Sequence, residues 1–175
     1  MLLLDTTLVG EAFSAPRPVE AGATVLILAV GNLLMGDEGV GVQALRALEN
    51  EAPVPGARLL DGGVAGVTLL EDIQSARAVI MIDATRDGQP AGTVTLLRPA
   101  TVGALPQGLS AHDFGLKDLF AAAALLGAMP EVHLFTISVE EVNPMCLDLS
   151  PPVAGAIPAV LQAVRALAAR LVAGA

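Results

Sequence analysis

Three polar side chains in a largely apolar chain are of the types that build a divalent-metal site: Glu38, Asp83 and His112. Two carboxylates and one imidazole form a two-oxygen, one-nitrogen set that suits zinc or nickel, with positions left open for other ligands. Glu38 lies in a segment punctuated by glycine, Gly31-Asn32-Leu33-Leu34-Met35-Gly36-Asp37-Glu38-Gly39-Val40-Gly41. The segment superficially suggests a nucleotide loop. It contains neither GxGxxG nor GxxxxGK[ST], and Asp37 and Glu38 put negative charge where a phosphate needs a helix N-terminus. That charge favours a cation. Spacing alone does not bring the three side chains together: Asp37 and Glu38 could only complement a helix dipole, Asp83 could cap a turn, and His112 could be a surface or capping histidine. On residue types alone the structural reading is the commoner one.

Other candidates carry less. Asp61-Gly62-Gly63 is either a plain turn or a second acid beside the site, and the turn alone accounts for the glycines. His133 falls inside a strand pattern and reads as a satisfied core or face histidine. Glu140 and Glu141 follow the last strand and read as solvated loop acids, and Cys146 as a small buried residue. No GxSxG elbow supports a serine triad.

These side chains act only where the elements put them. From Ala23 onward, short apolar runs rich in β-branched residues alternate with helical periodicity, the order expected when helices cover both faces of a mainly parallel sheet. Strands are expected at 24–30, 58–60, 78–82, 93–97 and 132–139. Val40, Ala44, Ala47 and Leu48 mark a helix over about 38–50, a short helix follows at about 66–74, and Ser110 with Asp113 has capping-box spacing ahead of Leu116, Leu119, Phe120 and Ala123. His112 then falls in a first helical turn. The closing helix, Val153 to Leu171, is expected to be kinked or divided near Pro158. Too few residues precede 93–97 for a crossover helix, so that strand should run antiparallel at a sheet edge. The fold class is therefore α/β: a three-layer α/β/α arrangement with a mixed, mostly parallel five-stranded sheet and one antiparallel edge strand. Ligands of such sheets sit beyond the carboxyl ends of the strands, where the Gly31–Gly41 segment, Asp83 and His112 are expected to fall.

The chain has 175 residues, enough for one domain with a sizeable core, and 54% of them are hydrophobic. Residues 1–22 read as a loosely ordered N-terminal extension and 23–175 as a single domain. Met1 to Leu4 and Ala12 to Ala15 loosely mimic a signal peptide, but no Lys or Arg precedes Arg17 and Asp5 breaks the apolar run. The apolar stretches are too short or too interrupted by proline for a membrane span, so no membrane insertion is expected. A net charge of −9 with neither Trp nor Tyr excludes nucleic acid as a ligand. One cysteine fits a reducing compartment, and a cytoplasmic protein is expected.

Four motifs follow one another along the chain: GNLLMGDEGVGV at Gly31–Val42, DGGVAG at Asp61–Gly66, IDA at Ile82–Ala84 and SAHDFGLKDL at Ser110–Leu119, with VNPMCLDLSPPV ahead of the last helix. In order and spacing they resemble those of the hydrogenase maturation proteases, the endopeptidases that trim the C-terminus of the nickel-iron hydrogenase large subunit. The resemblance spans about Val25 to Leu171. It implies that Glu38, Asp83 and His112 bind nickel, that Glu38 and Asp83 are catalytic in an aspartic-type endopeptidase, and that Asp61, Gly62 and Gly63 contact the substrate. It further implies that nickel arrives already inserted in the large-subunit precursor, with zinc or another divalent ion able to take the site in isolation. A monomer is expected. Val64 stands where many members have threonine, so a hydrogen bond from that hydroxyl is absent. Two alternatives remain open: a non-proteolytic nickel-binding accessory protein, and a metal-dependent small-molecule hydrolase on the same fold.

Overall fold

The computed structural model describes residues 2–4, 25–99, 109, 116–125 and 130–174. His112 and the Ser110/Asp113 capping spacing lie outside the described residues, as does most of the 1–22 extension. In chain order the elements are β1 (Leu2–Leu4), β2 (Val25–Val30), a 3-10 turn (Gly36–Gly39), α1 (Val40–Glu49) and β3 (Ala57–Gly63). A second 3-10 turn (Gly66–Leu69) then runs into α2 (Leu70–Gln74), followed by β4 (Ala78–Thr85), β5 (Val94–Leu97), α3 (Leu116–Leu125), β6 (Glu131–Ser138) and α4 (Pro151–Ala173).

The strand order is β1-β5-β6-β4-β2-β3. All neighbours pair in parallel except β5 with β6. The five strands expected from the sequence form the body of the sheet, and the strand at 94–97 is antiparallel to β6, as its short connection requires. It is not the edge. Leu2–Leu4 pairs with Val94–Leu96 outside it and makes a sixth strand from a segment assigned to the extension.

β2 and β4 are buried at every position, as central parallel strands must be when helices cover both faces. Alternation along the strands sorts their side chains into two cores. Ile27, Ile80, Ile82 and Phe135 pack with Leu45 of α1 and Val160 and Val164 of α4. Leu28, Val79, Met81 and Leu134 pack on the other side with Ile73 of α2 and Leu119 and Phe120 of α3. These two cores make the expected three layers.

Two boundaries differ from expectation for physical reasons. β3 does not stop before Asp61 but continues to Gly63, because the register slips between Ala29 and Val30 and the Gly31 N–H still donates to the Gly63 carbonyl at 2.9 Å. α4 is one helix of 23 residues, undivided at Pro158. Pro158 and Ala154 are both exposed, so the Ala154 carbonyl that loses its helical partner faces water. By length and composition α4 could cross a membrane. Its stripe from Val153 through Val160 and Val164 to Leu167 is instead buried on the sheet.

Candidate active site

The strand order reverses between β2 and β4, the place in an open α/β sheet where loops diverge and leave a crevice. Two glycines let the chain close over that crevice. At Gly41, in the first turn of α1, a Cβ would lie 2.4 Å from the Val30 carbonyl oxygen and 2.5 Å from that of Ile82, so α1 rests directly on the ends of both strands. At Gly31, with φ +143°, a Cβ would lie 2.2 Å from the Glu38 carbonyl oxygen. Any larger residue at either position pushes the 3-10 turn away from the sheet.

The turn held in this way carries Glu38, which is 3% exposed, and packs against β4, where Asp83 is 0% exposed. Alternation puts Asp83 on the face of β4 that also presents Val79 and Met81, the face covered by α2 and α3. Asp83 Oδ1 accepts a hydrogen bond from the Ala84 N–H at 2.8 Å. Thr85 lies two residues further on the same face, and its Oγ1 is buried with no hydrogen-bond partner among the described residues. Two buried carboxylates, one on β4 and one on the turn packed against it, and an unsatisfied hydroxyl two residues along β4 put oxygen donors of the kind a cation or a polar substrate uses into an otherwise apolar part of the sheet. Among the described residues no group of three His, Cys, Asp or Glu is placed to hold a metal ion. His112, the expected third donor, precedes α3 by four residues in sequence and lies outside the described residues.

Asp37 has a different task from its neighbour. It is buried, and its Oδ1 and Oδ2 accept hydrogen bonds from the N–H and hydroxyl of Ser150 at 2.6 and 2.7 Å. Ser150 is the N-cap residue of α4, with Pro151 and Pro152 opening the helix. The Asp37 carboxylate therefore sits at the positive end of the longest helix and ties the Glu38 turn to it. The same loop is held by a parallel bridge between Met35 and Cys146, with the Gly36 N–H donating to the Cys146 carbonyl at 2.8 Å. Sequence reasoning offered a dipole role for Asp37 but not the helix it serves. The only sequence signal was a serine ahead of two prolines.

The other candidates are placed as follows. Asp61 is exposed, lies 3.6 Å from Arg46, and accepts a hydrogen bond from the Gly63 N–H at 3.0 Å. Gly62 is buried and Gly63, at φ +46°, ends β3 beside the Gly31 loop. His133 is fully buried in β6 with Nε2 2.8 Å from Glu131 Oε1, and burial chiefly holds its pKa below the ordinary value. Glu140 and Glu141 are exposed. Cys146 is half-exposed rather than buried, because its main chain is spent on the bridge to Met35 at the surface.

The sequence model described as hydrogenase maturation protease matches residues 42–167. The chain belongs to the hydrogenase maturation protease family. A relative named hydrogenase 2 maturation protease, from Escherichia coli (strain K12), is 36% identical over 148 residues, covering 82% of this chain and 90% of the relative. The hydrogenase expression/formation protein HoxM of Azotobacter vinelandii is 37% identical over 153 residues, covering 83% of this chain and 73% of its own. The solved structure of the hydrogenase maturating endopeptidase HybD from E. coli matches with a TM-score of 0.73 at 32% identity, covering 81% of this chain and 89% of that one. As a member of the hydrogenase maturation protease family the chain is a peptidase, and its mixed sheet and covering helices are those of the HybD fold.

Proposed function

We propose that this peptidase removes the C-terminal peptide of a hydrogenase large-subunit precursor that already carries nickel. The observation that carries the reading is the pair of buried carboxylates, Glu38 and Asp83, at the corner where β2 and β4 end. Buried acids near the carboxyl ends of parallel strands fall where ligands of open α/β sheets bind, and titratable groups held out of water cluster at functional sites. On this reading the nickel is part of the substrate: its open positions take Glu38, Asp83 and His112, and zinc takes the same donors when the protein is isolated. On the same reading the precursor's C-terminal strand runs across the end of β3 at Asp61-Gly62-Gly63 and the Gly31 loop toward Asp83 on β4. Water adds across the scissile peptide bond, with a site carboxylate, in an aspartic-type role, taking the water's proton and passing one to the departing amine. The net charge of −9, the single cysteine and the stripe of α4 buried on the sheet support a cytoplasmic monomer that does not insert in membranes; light scattering and cell fractionation test those points.

The experiment is intact-mass analysis of a precursor, nickel-loaded and nickel-free, after incubation with wild type and with Glu38→Gln, Asp83→Asn or His112→Ala. The expected result is loss of a C-terminal peptide only with nickel and only with wild type, while all variants stay folded. Full cleavage by the three variants overturns the residue assignment. No cleavage of a competent precursor by wild type, together with tight nickel binding by the protein alone, favours a nickel-binding accessory role instead.

A further inference from the structure

Among the described residues five large apolar side chains are exposed: Leu34, Val64, Leu125, Met145 and Leu147. Four of these sit on loops at the carboxyl edge of the sheet. Leu34, 52% exposed, lies in the loop before the Glu38 turn, and Met145 and Leu147, 85% and 62% exposed, flank the Cys146 that pairs with Met35. The Cys146 N–H donates to the Leu34 carbonyl at 3.3 Å, so the two loops run side by side. Gln43 Nε2 of α1 donates to the Leu147 carbonyl at 2.9 Å and fixes that end. Val64, 56% exposed, follows Gly63, whose carbonyl is bonded to Gly31.

This surface is not a loose tail. Met145 has φ +60°, the only non-glycine residue with positive φ among the described residues. A methionine in that conformation is strained, and the bridge to Met35 holds it there with its side chain in water. A strained backbone that displays a large apolar side chain, next to two more, is what a preformed binding surface requires. Acids prevail around it: Glu140, Glu141 and Asp148 are exposed in the same segment, against Arg86 beside Glu140 and Arg46 already paired with Asp61.

We infer that Leu34, Met145 and Leu147, with Val64 at the margin, are the docking surface for the folded body of the precursor, whose matching face is apolar and bordered by basic side chains. This rests on the function proposed above and adds the surface that recognises the substrate apart from its metal and its scissile strand. Apolar anchors at the centre and acids at the rim assign affinity to the former and steering to the latter.

The test measures equilibrium binding and cleavage of nickel-loaded precursor by wild type, by Leu34→Ser, Met145→Ser and Leu147→Ser, and by the triple variant. Each single change is expected to raise Kd and KM about tenfold, and the triple about a hundredfold or more, with kcat at saturation within about twofold of wild type. Met145→Gly separates docking from folding: relief of the left-handed strain should raise the unfolding midpoint while KM still rises. Normal cleavage by wild type with unchanged KM in the triple variant overturns the surface alone. A wild type that neither binds nor cuts a competent precursor overturns the surface together with the function it rests on. A wild-type dimer in sedimentation that the triple variant dissolves, at unchanged KM, reassigns the surface to a second copy of this chain and overturns the proposal.

Discussion

Removing the Asp37 carboxylate separates the anchoring of the Glu38 turn from its chemistry. The carboxylate makes two hydrogen bonds, 2.6 and 2.7 Å long, to the N-cap of α4. Bonds to an ionised acceptor contribute about 1.5 kcal/mol each at the low end, so Asp37→Ala should cost about 3 kcal/mol. Asp37→Asn keeps one carbonyl acceptor but loses the charge beside the helix dipole, and should cost about half as much. For a domain of this size each kcal/mol lowers the midpoint by about 2–4 °C, which puts Asp37→Ala about 6–12 °C below wild type. The chain has neither Trp nor Tyr, so far-UV circular dichroism is the probe, with urea titration as a second measure. Glu38→Gln is the control: the amide keeps the shape and a carbonyl acceptor of the side chain, so it should move the midpoint by no more than about 3 °C while removing activity. A fall of less than about 2 °C for Asp37→Ala refutes the anchoring role.

Two further outcomes follow from the geometry. Gly41→Ala places a methyl group within 2.4 and 2.5 Å of two backbone carbonyl oxygens, so α1 must lift from the sheet; this should cost about 1–3 kcal/mol in urea unfolding and reduce kcat as Glu38 shifts. His133 titrates with a folded pKa held below the ordinary 6.5, first by burial and then by Arg98 and Arg170 against the opposing pull of Glu131. The unfolded chain therefore binds more protons in that range, and stability should fall as pH drops below about 6.5 until the folded pKa is passed. His133→Gln should flatten that part of the curve, read as midpoint against pH.

What the sequence made legible is the part governed by local pattern. The unbroken apolar runs at β2 and β4 announce buried parallel strands, the Val40–Leu48 stripe announces α1, and the few residues before Val94 force an antiparallel strand. Glu38 and Asp83 stood out as acids after apolar strand patterns, and both are buried, one in the 3-10 turn and one in β4. What was illegible depends on distant partners. The Asp37–Ser150 bonds span 113 positions, and nothing local at Asp37 specifies them. The continuation of β3 through Asp61-Gly62-Gly63 depends on a register slip against β2, where a glycine pair reads locally as a stop. Pro158 breaks a helix on paper and not in the molecule, because the exposed face of α4 leaves the freed carbonyl to water.

The reach of those bonds also sets a clock. The turn that bears Glu38 is synthesised well before the residues that hold it, Cys146 and Ser150, the latter 113 positions beyond Asp37. A nascent chain can pair β2, β3 and β4 long before it can lock that turn, since loop closure over such a separation must wait for the far partner to exist. The central strands can thus pair first, and the Glu38 turn is set only when the N-terminus of α4 comes to meet it.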